Sequence, residues 1–243
     1  LTFDVASNII LDAADSISTT TAGTNNVKLG ANAGNSITSD SIRNVLIGDE
    51  AGTSLTTGDE NVFIGYQAGD TTTDNNENTG VGYRALTGDI GDQNTALGAH
   101  CGDAVTGNRN VLLGYNVAQG AGAIDDNVVI GSGAASNATF VGDDNVVIGK
   151  DAGFYLTSGH SNVLIGHTSG GVTTGIGNTA VGFEALKTED DHGQNVAVGF
   201  KALTALNAGL NANNTAVGYN AATSLIGGQQ NVVIGYQAFN SAD

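Results

Sequence analysis

The chain has 243 residues, 37 of them glycine, with one cysteine and no proline, methionine or tryptophan. Its formal net charge is −17, seven Lys and Arg against 24 Asp and Glu. That balance excludes nucleic acid and an anionic membrane surface as partners, since both demand a basic stripe. A lone cysteine excludes an internal disulfide framework or a cysteine-based metal cluster, and no apolar run approaches the ~18 residues a membrane-spanning helix needs.

Residues 1–25 read as a lead-in. Ser7 to Asp12 (SNIILD) is a degenerate copy of a unit that later becomes regular, and Ser16 to Asn25 is rich in Ser, Thr, Gly and Asn, as loops are. From Asn26 to about Phe239 the pentapeptide Asn-x-x-x-Gly recurs thirteen times, with spacings of 16 to 19 residues. The copies include Asn44 with Gly48, Asn61 with Gly65, Asn110 with Gly114, Asn145 with Gly149, Asn178 with Gly182 and Asn214 with Gly218. A fixed period in this range predicts an all-β parallel β-roll solenoid of about thirteen coils, since stacked repeats bury a continuous core without enlarging it. The absent proline fits, because each ladder bond between coils needs its N–H. Asn240 to Asp243 form a tail without a closing cap. With no initiator Met and no signal peptide at Leu1, the chain reads as a piece of a longer or processed protein.

Numbering each coil from its Asn as position zero, position one is Val or Thr and position three is Ile, Leu or Val. Strand side chains alternate, so these two share a face, expected to be the inner one. Position two then faces outward, yet it too is apolar: Leu46, Phe63, Leu112, Val129, Val147, Leu164 and Val233 are examples. A strand apolar on both faces is covered on both. The expected cover is a second copy of the chain, making this column an oligomer interface in a closed assembly.

After the Gly bend the pattern predicts a second short strand. Position five is aromatic in seven copies (Tyr66, Tyr83, Tyr115, Phe183, Phe200, Tyr219, Tyr236), position six is polar in all but one, and position seven is mostly Ala. That alternation places five and seven inside, as core packing, and six in solvent. The Asn column is expected to stack as an amide ladder along the rod. A second turn is marked by Gly58, Gly91, Gly107, Gly142, Gly159, Gly175 and Gly228, each three residues before the next Asn. At ~4.8 Å per coil the rod would be roughly 60 Å long.

These residues resemble two groups of proteins. NVAVG, NTAVG and NVVIG are similar to the NSVAIG head repeats of YadA-type trimeric autotransporter adhesins. NTGVGYRAL from Asn78, NTAVGFEAL from Asn178 and NVAVGFKAL from Asn195 resemble more closely the NTAVGYxAL repeats of bacteriophage tail fibres and related bacterial surface proteins. The lead-in SNIILDAADS also looks like segments of phage fibre proteins. The resemblance implies a homotrimeric, left-handed roll in an extracellular fibre that attaches to a host cell surface, on a virion ahead of a bacterial envelope. It implies a host-surface glycan or protein as partner and no cofactor or catalysis. The coils here are longer than the autotransporter repeats, and no heptad stalk is present, which favours the phage-type reading. The alternatives are a bacterial adhesin head and a passive spacer rod with inert loops.

Chemistry-bearing residues are sparse. His100, His160, His167 and His192 make no zinc spacing and read as surface residues. Cys101 fills an inward Ala slot and reads as filler. The acidic turns Asp143-Asp144 and Glu189-Asp190-Asp191 lack the nonapeptide of calcium-binding rolls, and the repeat offers no cleft for a carboxylate pair, as a glycosidase or depolymerase would need. Thr19–Thr21 and Thr71–Thr73 form no flat array of the ice-binding kind. If the rod recognises anything, the stretches departing from the repeat are the places to look: Thr71–Glu77, Ser136–Asp143, Phe154–His160 and Lys187–Gly193.

Overall fold

A computed structural model describes residues 23–137, 139–171, 174–188, 193–207 and 212–240. The degenerate repeat at Asn8–Asp12 and most of the lead-in lie outside the described residues. The rest is a parallel β-solenoid: thirteen three-residue strands, the first Val27–Leu29 and the last Val232–Ile234, pair in sequence order as one sheet, with no helix among the described residues. Each strand pairs with the next like for like, as in Val45↔Val62, Leu46↔Phe63 and Ile47↔Ile64. The repeat thus stacks equivalent positions into columns along the rod.

The Asn column forms the expected ladder, and it points inward. Asn44, Asn61, Asn110, Asn145 and Asn178 are fully buried, and Asn214 is 1% exposed. Side-chain carbonyl oxygens accept from the next coil. The Asn44 Oδ1 receives the Asn61 backbone N–H at 2.9 Å and its Nδ2 at 3.1 Å. Asn145 Oδ1 receives Asn162 in the same way, at 3.0 and 3.1 Å. The Nδ2 groups also reach the turn ahead, Asn44 to the Gly58 carbonyl at 2.9 Å and Asn145 to that of Gly159 at 3.0 Å. Asparagine suits this slot because its amide both accepts and donates, so the buried polar atoms of the corner find partners.

The Gly that closes the pentapeptide bends every coil, with φ between 127° and 141° down the column. Gly48 and Gly114 stand at 133°, Gly65 and Gly149 at 136°, Gly218 at 139° and Gly182 at 140°. The next coil is also too close for a side chain. A methyl group would sit 2.4 Å from the Gly65 carbonyl oxygen if placed on Gly48, and 2.3 Å from that of Gly82 if placed on Gly65. On Gly149, Gly182 and Gly218 it would meet the carbonyl oxygens of Gly166, Gly199 and Gly235 at 2.5, 2.3 and 2.4 Å. Gly114 departs from this pattern: its nearest contact would be the Gly131 carbonyl carbon at 3.0 Å. Dihedral alone therefore demands glycine at Gly114, whereas dihedral and contact both demand it at the other five.

Beyond the bend the structure differs from the expected second strand. This segment is a stack of turns, with left-handed φ at position six (51–72°) and again at position eight (45–68°). Bulky residues take this conformation, Leu86 and Leu186 among them, at an intrinsic cost of about 1–2 kcal/mol each. Bonds to neighbouring coils hold it: Gln67 N–H donates to the Asp49 carbonyl at 3.0 Å, and Leu86 N–H to that of Cys101 at 2.9 Å. Position seven is inside as expected, with Ala51, Ala68, Ala152 and Cys101 fully buried.

The core follows from this geometry. Positions zero, two, seven and eight line the interior, joined by Leu55, Val105, Leu156 and Leu206 further round the coil. Positions two and eight meet across it and trade volume. Leu46, Phe63, Val147 and Leu164 face Gly52, Gly69, Gly153 and Gly170, whereas Gly80, Ala180 and Ala197 share their coils with Leu86, Leu186 and Leu203. A methyl group at Gly69 would fall 2.6 Å from the Phe63 ring, and one at Gly170 would fall 2.4 Å from Leu164 Cδ2. Where both positions are small, as with Ala96 and Gly102, side chains from the adjacent coils fill the space: a methyl group on Gly102 would meet Leu112 Cδ1 at 2.8 Å and Leu86 Cδ2 at 2.9 Å. The first coil has Lys28 at position two; its stem is half-buried and its Nζ donates to the Gly34 carbonyl at 2.7 Å.

Candidate functional site

The expected interface column is buried within its own chain. Leu46, Phe63, Leu112, Val129, Val147 and Leu164 are fully buried inside the coil, and Val233 is half-buried in the last one. None of the six can serve as a contact surface between copies. The reason is parity: the Asn at zero must turn inward to satisfy its amide, and position two shares its side of the strand.

Positions one and three are consequently the outer face. Val45, Ile47, Val62, Ile64, Val146 and Ile148 are half-buried by their neighbours along the sheet, and Val111 and Leu97 are exposed at 38% and 48%. The aromatic residues of position five lie outside as well, contrary to their expected place in the core. Tyr66, Tyr83, Tyr115, Phe183, Phe200, Tyr219 and Tyr236 are all exposed. Five keeps the parity of one and three through the Gly bend, and the left-handed residue at position six then turns position seven inward.

Stacking of coils turns these rings into ladders. Phe183, Phe200, Tyr219 and Tyr236 form a continuous stack with centroids 5.0, 5.0 and 5.4 Å apart and planes within 17° of parallel. His167 extends it from the other end, 5.4 Å from Phe183. The earlier stack starts with Tyr66 on Tyr83 at 5.5 Å. It continues through His100, whose ring lies edge-on between Tyr83 and Tyr115 because its coil has Ala99 at position five. His100 is thus half-buried, with Nδ1 3.5 Å from Asp103 Oδ2, and not the plain surface residue expected. In the parallel stack from Phe183 to Tyr236 the inner ring faces cover one another, so that ladder presents mainly edges to solvent.

Sequence reasoning also missed a second ladder, two residues before the Asn. Ile42 N–H donates to Asp59 Oδ1 at 2.7 Å, Asp59 N–H to Asn76 Oδ1 at 2.8 Å, Asn76 N–H to Asp92 Oδ1 at 2.7 Å and Asp92 N–H to Asn108 Oδ1 at 2.8 Å. The series runs on through Asp125 to Asp143. The recurrence of Asp or Asn at this offset was the available signal. Beside it, Arg109 grips Asp126 through Nε at 2.7 Å and Nη2 at 2.8 Å, which holds the Asp126 carboxyl below its ordinary range. Arg43 pairs with Glu60 in the equivalent place. These carboxylates are taken up by backbone N–H groups and arginines. Among the described residues, no group of three or more His, Cys, Asp or Glu is arranged to hold a metal ion.

Cys101 lies fully buried in its Ala slot, and burial pushes its thiol pKa to about 12. His192 and Glu189-Asp190-Asp191 lie outside the described residues. Of the four irregular stretches, two converge: Phe154 and Tyr155 from one and Lys187 from another line a single open notch with Asp151, Thr168, Gly170 and Gly171. Thr71–Glu77 and the described part of Ser136–Asp143 do not line it. No protein-family model, curated protein or solved structure matches this chain.

Proposed function

We propose that the chain is a structural and adhesive fibre segment: a rigid rod that associates with copies of itself as a homotrimer and carries recognition loops to a host cell surface. The observation that supports this best is the outer strand face. Val, Thr, Ile and Leu at positions one and three, bordered by stacked rings at position five, give one apolar strip along the rod. Soluble monomers rarely leave contiguous apolar patches beyond a few hundred Å² uncovered. A second and third copy related by closed symmetry would cover it, and a threefold assembly is what the repeat resemblance implies. With position two buried within the coil, the proposed contact surface between copies is positions one, three and five.

An extracellular setting, on a virion tail fibre ahead of a bacterial surface, belongs to the same reading. A long acidic rod stays soluble while its one apolar strip is sealed. Light scattering on the purified chain tests the assembly. A mass of three chains supports the reading, and a single-chain mass at micromolar concentration removes it.

A further inference from the structure

We infer that the notch between the coils beginning at Asn145, Asn162 and Asn178 is a binding site for a neutral pyranose unit of a surface glycan. Its biological setting rests on the attachment reading above, and its chemistry rests on the notch alone.

The notch arises where three coils depart from the repeat together. Positions nine and ten are small or polar in the other coils, Val172 excepted, but are Phe154-Tyr155 here. The next coil has Gly170-Gly171 at positions eight and nine, so neither position puts a side chain beside the rings. Both glycines are forced by packing, since a methyl group on Gly171 would overlap the Lys187 carbonyl oxygen at 1.6 Å and one on Gly170 would meet Leu164. The coil after that supplies Lys187. The result is an open cavity of about 320 Å³, within the size range of small-molecule sites.

Its chemistry is that of an apolar wall with a polar rim. Phe154 and Tyr155 are 42% and 58% exposed, with centroids 5.2 Å apart and planes at 87°. Packed edge to face, the pair does not close both rings off, unlike the parallel ladders whose faces cover one another. A free ring face takes the C–H face of a sugar. Around it stand Asp151, Thr168 and Lys187. Each has a partner and spare capacity. Asp151 lies 3.5 Å from Lys150 Nζ and 3.9 Å from His167 Nε2. The Thr168 hydroxyl donates to the His167 carbonyl at 2.8 Å and keeps its acceptor lone pairs, and Lys187 Nζ spends one hydrogen on Glu184 Oε1 at 2.6 Å. Acceptors and donors side by side suit hydroxyl groups. An anionic sugar is disfavoured by Asp151, by the Glu184 partner of Lys187 and by the chain's net charge of −17. A purely apolar occupant would strip water from the three polar groups without replacing it.

The test is ligand-observed NMR on the intact chain. The probes are methyl glycosides and disaccharides of glucose, galactose, mannose and N-acetylglucosamine, with sialyllactose as the anionic control. Saturation transfer to at least one neutral probe is expected, with affinity falling at least about tenfold in Tyr155→Ala and in Phe154→Ala. Circular dichroism and mass should be unchanged, since both side chains are exposed. Lys187→Ala should weaken binding less. Failure to bind any neutral probe, preference for the sialylated control, or binding untouched by the Phe154 and Tyr155 variants would each overturn the site. The attachment reading is scored separately by the mass measurement: a trimer that binds no sugar loses the notch and keeps the fibre, whereas a sugar-binding monomer does the reverse.

Discussion

The inner and outer faces of the strand column are built from the same kinds of residue and do opposite jobs. On the inner face, Leu46, Phe63, Leu112 and Leu164 are sealed from solvent and matched in volume by position eight across the coil. On the outer face, Val and Ile at positions one and three are only half covered and have no partner of matched volume. Hydrophobicity therefore does not tell the faces apart. Two other features do: the parity of the buried Asn, and the exchange of volume between two positions that meet across a narrow interior.

The largest effect should come from breaking the inner match. Phe63→Ala removes a fully buried ring in front of Gly69 and is expected to cost about 3–5 kcal/mol in chemical denaturation. A second change that restores volume across the coil, Gly69→Leu, should recover part of that loss, because position eight accepts leucine at the same φ in Leu86 and Leu186. Gly69→Leu alone, with Phe63 in place, should destabilise by overpacking. No rescue would mean that the two positions do not share a space.

Next in size is the Asn ladder. Asn145→Ala leaves the Asn162 backbone N–H without its acceptor and frees the Gly159 carbonyl, at about 1–3 kcal/mol for each orphaned buried group. The outer ladder should matter less. Phe200→Ala interrupts the stack between Phe183 and Tyr219 and is expected to cost about 1 kcal/mol in the isolated chain. A larger cost that depends on protein concentration would show that copies pack on this face.

The smallest effect is a pH-dependent gain. Burial raises the Asp70 carboxyl above its ordinary range; Arg84 opposes the shift, while Glu50 and Asp103 add to it. Its Oδ1 is buried without a hydrogen-bond partner. A carboxyl with a raised folded pKa contributes stability below its unfolded value and loses it as pH rises through the folded value. Asp70→Asn should therefore raise Tm near pH ~7 and change it little near pH ~3.

Much of this architecture was legible in the sequence. The Asn-x-x-x-Gly period gave the solenoid, the coil count, the Asn ladder though not its burial, the bend at Gly48, Gly182 and their equivalents, and the Ala and Cys101 slots at position seven. What misled was the assumption that a half-apolar segment after the bend must be a strand. Tyr66 and Phe183 simply keep the outward parity of positions one and three, while the left-handed φ at position six turns Ala68 and Ala185 inward, and nothing in a run such as GYQAG announces that dihedral, since Gln67 and Glu184 adopt it without being glycine. The inner face could have been read correctly. Leu46 with Gly52, Phe63 with Gly69, and Gly80 with Leu86 already show the exchange of volume, and Asn44 fixes the parity of Leu46. The notch was half visible: Phe154 and Lys187 stood in stretches marked as irregular, but only the stacking of coils brings them to one place.

The most direct test of the two-faced strand is a paired mass and stability measurement on outer-face and inner-face variants. Ile130→Gln, Ile148→Gln and Ile165→Gln together place three polar side chains on adjacent rungs of the outer face; Val147→Gln places one on the inner face between them. The expected result is a wild-type mass of three chains, a folded single chain for the outer triple variant, and an unfolded chain for Val147→Gln. A folded Val147→Gln chain of single-chain mass, beside an outer triple variant that keeps the wild-type assembly, would reverse the assignment of the faces and contradict it.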